Sequence, residues 1–136
     1  MAEILFVCVH NAGRSQMAAA LFNQLAAKKG LSQKAESAGT EPAAHVHPVV
    51  LEVMHEAGID LSDSQPRILT DAMVAGARRV ITMGCAVDAG VCPAIFLKNV
   101  EDWGLPDPKD RPLPEVRAIR DEVRRRVELL LAELQS

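Results

Sequence analysis

Hydrophobic residues along this chain occur both as short runs and in longer stretches with helical spacing. The run Ile4–Val9 indicates a buried parallel strand, and residues 34–39 and 79–83 indicate two more. Strong helix formers fill residues 15–29, and a second helical pattern covers residues 48–57. Strands that alternate with helices predict a parallel sheet covered by helices, which is an α/β fold.

The last part of the chain has the most regular pattern. From Pro112 onwards apolar residues recur at steps of three and four, opposite a face of Arg and Glu, and they are Val116, Ile119, Val123, Val127, Leu130, Leu131 and Leu134. This spacing predicts an amphipathic helix that packs on the sheet. The chain has 136 residues, 49% of them hydrophobic, so we expect one domain over residues 1–136 with its own core.

Composition argues against several classes of protein. The formal net charge is -3 with 24% charged residues, which does not indicate a surface for nucleic acid. The early run Ile4–Val9 is too short for a membrane helix, and no basic segment precedes it. We therefore expect a cytoplasmic protein with no membrane or nucleic-acid partner.

The chain has three cysteines, Cys8, Cys85 and Cys92. An odd number fits poorly with a secreted disulfide framework and favours reactive thiols in a reducing compartment. Their spacing matches no zinc pattern, and His45 and His47 have no nearby carboxylate to complete a ligand set. We expect no metal and no other cofactor, with the two histidines as polar residues at the rim of a site.

Cys8 begins a Cys-x5-Arg-Ser loop between the first predicted strand and helix, where α/β sheets place their ligand sites. Backbone N–H groups there can curl around a tetrahedral oxyanion at the positive end of the helix dipole. The candidate binding residues are Val9, His10, Asn11, Ala12, Gly13, Arg14 and Ser15. We expect Arg14 to add a two-pronged donor, Gly13 to permit a turn that a Cβ would resist, and Cys8 to be a thiolate at neutral pH. Ser15 can donate to the sulfur, and Asn11 can hold the loop.

The residues around this loop resemble a known family. The run from Val7 to Ala18 is similar to the signature loop of the low-molecular-weight tyrosine phosphatase superfamily, in the version ending Arg-Ser-Gln-Met-Ala that marks its arsenate reductases. The resemblance covers nearly the whole chain. It implies a three-layer fold with a central four-stranded parallel sheet and helices on both faces, arsenate as the substrate, and a monomer.

The segment from Thr82 to Pro93 is similar to the redox segment of the thioredoxin-coupled arsenate reductases. Reduction of arsenate takes two electrons, so a second thiol must attack Cys8 and expel arsenite, and Cys85 is the candidate. Cys92 can then restore Cys8 by thiol–disulfide exchange, leaving a Cys85–Cys92 disulfide for thioredoxin. Seven residues of helix span roughly 10 Å, whereas disulfide Cα atoms lie within roughly 7 Å, so oxidation should unwind residues 85–92.

The segment Trp103–Pro108 resembles the late Asp-Pro element of the family, which implies that Asp107 is the general acid. Lys109 stands where phosphatases of the family typically have an aromatic residue, and the chain has no Tyr, which favours a small inorganic oxyanion. Mycothiol or glutaredoxin could replace thioredoxin as the reductant, and two alternative functions stay open. One is a phosphatase that uses a cysteinyl-phosphate and water, and the other is a non-enzymatic oxyanion or redox sensor.

Some family members bind potassium beneath the loop. Asn11 and Ser37 match two of its ligands, but Ala19 and Arg67 stand where the family has Glu and Asp. We therefore expect this cation site to be absent, with the positive charge of Arg67 in part of its role.

Overall fold

The computed structural model describes residues 3–83 and 100–135 of the chain. Four parallel strands form its sheet, and in chain order they are β1 (Ile4–Cys8), β2 (Ala35–Gly39), β3 (Arg79–Thr82) and β4 (Val100–Asp102). Across the sheet the order is β2-β1-β3-β4, so the first strand lies in the interior. This confirms the predicted α/β fold with a four-stranded parallel sheet.

The helices described within these residues are α1 (Arg14–Lys28), α2 (Pro48–Glu56), α3 (Asp71–Gly76) and α4 (Leu113–Gln135). The sequence pattern located α1, α2 and α4 to within one residue at each predicted end. It located neither α3, which is six residues long, nor β4, which is three. In the described part of the chain no helix has the length and apolar character needed to cross a membrane.

Side chains of β1 alternate between the two faces of the sheet, and both faces are covered. Phe6 and Cys8 pack in a cluster with residues of α1, α2 and α4, whereas Leu5 and Val7 pack in a second cluster with Val74 of α3. The first strand is therefore apolar throughout, as expected for a strand buried on both faces. Helices lie on both faces of the sheet, as the sequence predicted.

Two contacts position the loop that follows β1. Cys8 pairs with Gly39 in the register of β1 and β2, and a Cβ on Gly39 would lie 2.5 Å from the carbonyl oxygen of Val9 and 2.9 Å from the nitrogen of Asn11. A glycine at this position therefore lets the loop cross the end of β2. On the other side of β1, the N–H of Met83 donates to the carbonyl oxygen of Val7 at 2.7 Å.

Candidate active site

The candidate active site is the loop between β1 and α1. Cys8 ends the strand and is 3% exposed, and the N–H of Asn11 donates to its Sγ at 3.2 Å. Because α1 begins at Arg14, the first N–H groups of that helix have no partner within it and adjoin the loop. Such an arrangement can hold a tetrahedral oxyanion beside the sulfur.

The direction of the hydrogen bonds around Ser15 follows from the orientation of the Asn11 amide. The N–H of Arg67 and the side-chain amide of Gln16 donate to Asn11 Oδ1, at 2.9 and 3.2 Å, and so set that orientation. Asn11 Nδ2 therefore donates to Ser15 Oγ at 2.8 Å. Because Ser15 Oγ already accepts that bond, its hydroxyl can donate to Cys8 Sγ, which is 2.8 Å away. A donor at the sulfur stabilises the thiolate, which is the nucleophilic form.

Asn11 has an unusual backbone conformation, and Arg67 contacts it in an unexpected way. The φ of Asn11 is 50°, in the left-handed region that asparagine tolerates better than most residues. The Arg67 side chain is 57% exposed and its guanidinium pairs with Glu36 at 3.6 Å. Its backbone N–H, rather than its charge, contacts Asn11. The expectation that the charge of Arg67 acts beneath the loop is therefore wrong.

Gly13 leaves no room for a side chain. A Cβ at this position would lie 2.7 Å from Cγ of Pro108 and 3.2 Å from its Cδ. The left-handed residue of the loop is Asn11. Close packing on Gly13 brings Asp107, the residue before Pro108, near the loop.

Of the two proposed polar groups, Arg14 contacts the segment before α4, and Asp107 belongs to that segment. Arg14 is half-buried and its Nη1 donates to the carbonyl oxygen of Leu105 at 2.8 Å, which leaves its other N–H groups for an anion. Asp107 is half-buried, and its Oδ1 accepts the N–H of Lys109 at 3.0 Å. Trp103, at the start of the same segment, is buried in the core.

Two histidines lie around the loop. His10 Nδ1 lies 3.0 Å from the carbonyl oxygen of Glu41, so this ring nitrogen carries the proton. The N–H of His47 donates to the carbonyl oxygen of Ala12 at 2.9 Å, and its ring Cδ2 would lie 3.5 Å from a Cβ on Gly13. Desolvation lowers the pKa of His47, and the opposing charge of Asp107 offsets this only in part.

Sequence reasoning did not single out two residues that contact this site, Leu105 and Gln16. Leu105 acts through its backbone, which leaves no signal in the sequence. Gln16 follows Ser15 directly, and its signal is a polar residue immediately before the apolar run Met17–Phe22 of α1. Cys85 and Cys92 lie outside the described residues, as does the predicted unwinding of residues 85–92, so these stay predictions. Among residues 3–83 and 100–135 no group of three or more His, Cys, Asp or Glu side chains could hold a metal ion.

Comparisons with known proteins agree with this geometry. A family model described as low molecular weight phosphotyrosine protein phosphatase matches residues 3–136. The chain is 35% identical over 138 residues to the glutaredoxin arsenate reductase of Synechocystis sp., covering 98% of this chain and 99% of that protein.

Two solved structures are similar as well. One is the thioredoxin-dependent arsenate reductase of Corynebacterium glutamicum, with a TM-score of 0.79 and 40% identity, covering 99% of this chain and 62% of that one. The other is an arsenate reductase in the phosphate binding state, with a TM-score of 0.82 and 34% identity, covering 98% of both chains.

Proposed function

Because the chain belongs to the low molecular weight phosphotyrosine protein phosphatase family, we propose that it reduces arsenate to arsenite with Cys8 as the nucleophile. One observation carries the proposal: the N–H of Asn11 and the hydroxyl of Ser15 both reach Cys8 Sγ, in a loop that can bind an oxyanion. The relatives named arsenate reductase support arsenate as the anion.

The reaction proceeds in one displacement at arsenic and two at sulfur. The Cys8 thiolate attacks arsenic, an S–As bond forms, and one oxygen leaves as water after it gains protons. The Cys85 thiolate then attacks Cys8 Sγ, and the S–As bond breaks with its electron pair left on arsenic, which departs as arsenite. Finally Cys92 attacks Cys85 and releases Cys8, and the new disulfide takes two electrons and two protons from an external dithiol.

Asp107 is the proposed general acid for the departing oxygen. Its support is positional, because Pro108 packs on Gly13 and so brings the carboxyl group near the loop. Arg14 is proposed to bind the anion with the N–H groups that Leu105 leaves free. Val9, His10, Ala12 and the other loop residues are proposed to bind it through their backbone N–H groups.

The deciding assay is turnover of arsenate with thioredoxin, thioredoxin reductase and NADPH. We expect NADPH oxidation that depends on arsenate and disappears in Cys8→Ser, and strong loss in Cys92→Ser. A glutaredoxin arm is needed, because similar proteins are named for either reductant. A Cys92→Ser protein that cycles normally with glutaredoxin and a small thiol would contradict thioredoxin coupling. An anion response that survives Cys8→Ser, without turnover in the unaltered protein, would favour a sensor.

Phosphatase chemistry is the second candidate, because hydrolysis needs only Cys8, Arg14 and Asp107. One contact disfavours an aromatic phosphoester as the main substrate. Trp103 packs on Phe6 in the core, with ring centroids 5.4 Å apart, and so does not form a slot for a phenol ring. Hydrolysis of p-nitrophenyl phosphate that persists in the double variant Cys85→Ser, Cys92→Ser would reveal this activity. The single domain, the monomer and the cytoplasmic location stay predictions.

A further inference from the structure

We propose that Gln16 is a positioning residue for Cys8, which acts through Asn11 and Ser15. The proposal rests on the proposed function in taking Cys8 as the nucleophile. Gln16 is 7% exposed. Its Nε2 lies 3.1 Å from the carbonyl oxygen of Asn11, 3.2 Å from Asn11 Oδ1 and 3.3 Å from the carbonyl oxygen of Gln65. The two N–H groups of one side-chain amide thus lie within hydrogen-bond distance of three oxygens, with one N–H shared between two of them, and we call these oxygens the oxygen cage.

The oxygen cage needs a donor because its members are all acceptors. Two of them belong to Asn11, the residue with the left-handed backbone, so Gln16 binds both the main chain and the side chain of that residue. The Asn11 Oδ1 has a second donor, the N–H of Arg67. Together these two donors hold the Asn11 amide in the orientation that directs its Nδ2 to Ser15.

The effect reaches the sulfur by one further step. Ser15 Oγ is occupied as an acceptor by Asn11, which leaves its hydroxyl to donate to Cys8 Sγ. If Gln16 loses its donor, the Asn11 amide is held on one side only and the Ser15 hydroxyl is free to turn away. Packing alone does not explain Gln16, because an apolar side chain of the same length would fill this space without the desolvation cost of an amide.

The test compares Gln16→Met, which keeps the length without the donor, with Gln16→Glu, which places acceptors against the oxygen cage. Gln24 offers matched controls, since it lies in the same helix and donates to the carbonyl oxygen of Ala57 at 3.4 Å. We would measure the rate of Cys8 alkylation by iodoacetamide against pH, by mass spectrometry of the Cys8 peptide, and protection by inorganic phosphate. The melting temperature of each variant would be recorded beside these rates.

We expect Gln16→Met to shift the pH profile of Cys8 alkylation upward and to slow alkylation by about tenfold on the acidic limb of that profile, which corresponds to one hydrogen bond. Gln16→Glu should slow it at least as much, because a carboxylate repels the oxygen cage. Gln24→Met and Gln24→Glu should stay within about twofold of the unaltered protein.

A normal alkylation profile in both Gln16 variants would overturn the proposal, whatever their melting temperatures. A loss of melting temperature alone, with alkylation unchanged, would also overturn it, since that result means a structural role. None of these readouts uses arsenate. Absence of arsenate turnover in the unaltered protein would therefore count against the proposed function and leave the role of Gln16 to be decided by alkylation.

Discussion

Asn11→Asp would replace one amide nitrogen by an oxygen at the centre of the site. The remaining Oδ1 can still accept the N–H of Arg67 and the amide of Gln16, at 2.9 and 3.2 Å, and Asp tolerates the left-handed backbone as Asn does. The contact to Ser15 Oγ at 2.8 Å changes from donor to acceptor. The Ser15 hydroxyl would then donate to the new carboxylate rather than to Cys8.

The size of the effect follows from the lost bond. A hydrogen bond to a charged group contributes about 1.5–3 kcal/mol, and each 1.4 kcal/mol changes an equilibrium about tenfold. Loss of the Ser15 donor should therefore lower the ratio of Cys8 thiolate to thiol by about ten to a hundred times. The added negative charge acts in the same direction. Arsenate turnover should fall by a similar factor on the acidic limb of its pH profile, where the thiol predominates, because the thiolate is the attacking form.

The assay is the pH dependence of Cys8 alkylation, together with kcat/KM for arsenate. Asn23→Asp is the matched control, since Asn23 lies in α1, the helix that follows the loop, and its amide binds both backbone groups of Ala35, at 2.8 and 3.0 Å. This control should lose stability and leave Cys8 alkylation unchanged. If Asn11→Asp alkylates within about twofold of the unaltered protein along the acidic limb of the pH profile, the assigned direction of the Ser15 hydroxyl is wrong.

Three further predictions test other contacts. Gly13→Ala should lower the free energy of unfolding by about 1–3 kcal/mol, because its Cβ would lie 2.7 Å from Pro108 Cγ. It should also lower kcat more than it lowers the affinity for phosphate. Equal urea midpoints for the variant and the unaltered protein would refute the predicted loss of stability. The folded pKa of His47 is below 6.5 because of desolvation, so its neutral form contributes stability that is present above pH 6.5 and lost as the pH falls through the lowered folded pKa. On acidification the melting temperature of His47→Gln should then fall less than that of the unaltered protein. Parallel curves of melting temperature against pH would contradict this. The pKa of Glu56 is lowered from 4.5 to about 2, first by its hydrogen bond to Arg117 of α4, so its contribution is present above pH 4.5 and lost as the pH falls through about 2. Glu56→Gln should therefore lower the melting temperature at neutral pH, with a gap that closes toward pH 2, and a constant gap would count against this reasoning.

The parts of the fold predicted from sequence are those whose signals are local. β1, the loop and α1 follow one another directly, and each has its own pattern of apolar residues, glycine and helix formers. The sequence did not predict β4, because three residues, two of them acidic, form a strand only when β3 offers hydrogen-bond partners beside them. It did not predict α3, because this helix has only six residues, with Val74 as its buried side chain.

The same limit explains what was missed at the site. The contact between Cys8 and Ser15 could be predicted, because both residues belong to the Cys-x5-Arg-Ser loop. The packing of Pro108 on Gly13 could not be predicted, since almost a hundred residues separate the two in the sequence. The contact of Arg14 with Leu105 could not be predicted either, because the backbone carbonyl of any residue at this position would serve equally well.

The bond between Met83 and Val7 bears on the proposed reaction of Cys85 with Cys8. In the sequence Cys85 follows Met83 by two residues, and Cys8 follows Val7 by one, although more than half of the chain separates the two thiols. In an unfolded chain, closing so long a loop would cost about 4.5 kcal/mol of entropy. Pairing of β1 with β3 meets that cost during folding, so in the proposed mechanism Cys85 would act at a high effective concentration rather than as a separate reagent. Under that mechanism the strand order of the sheet would be part of the redox chemistry.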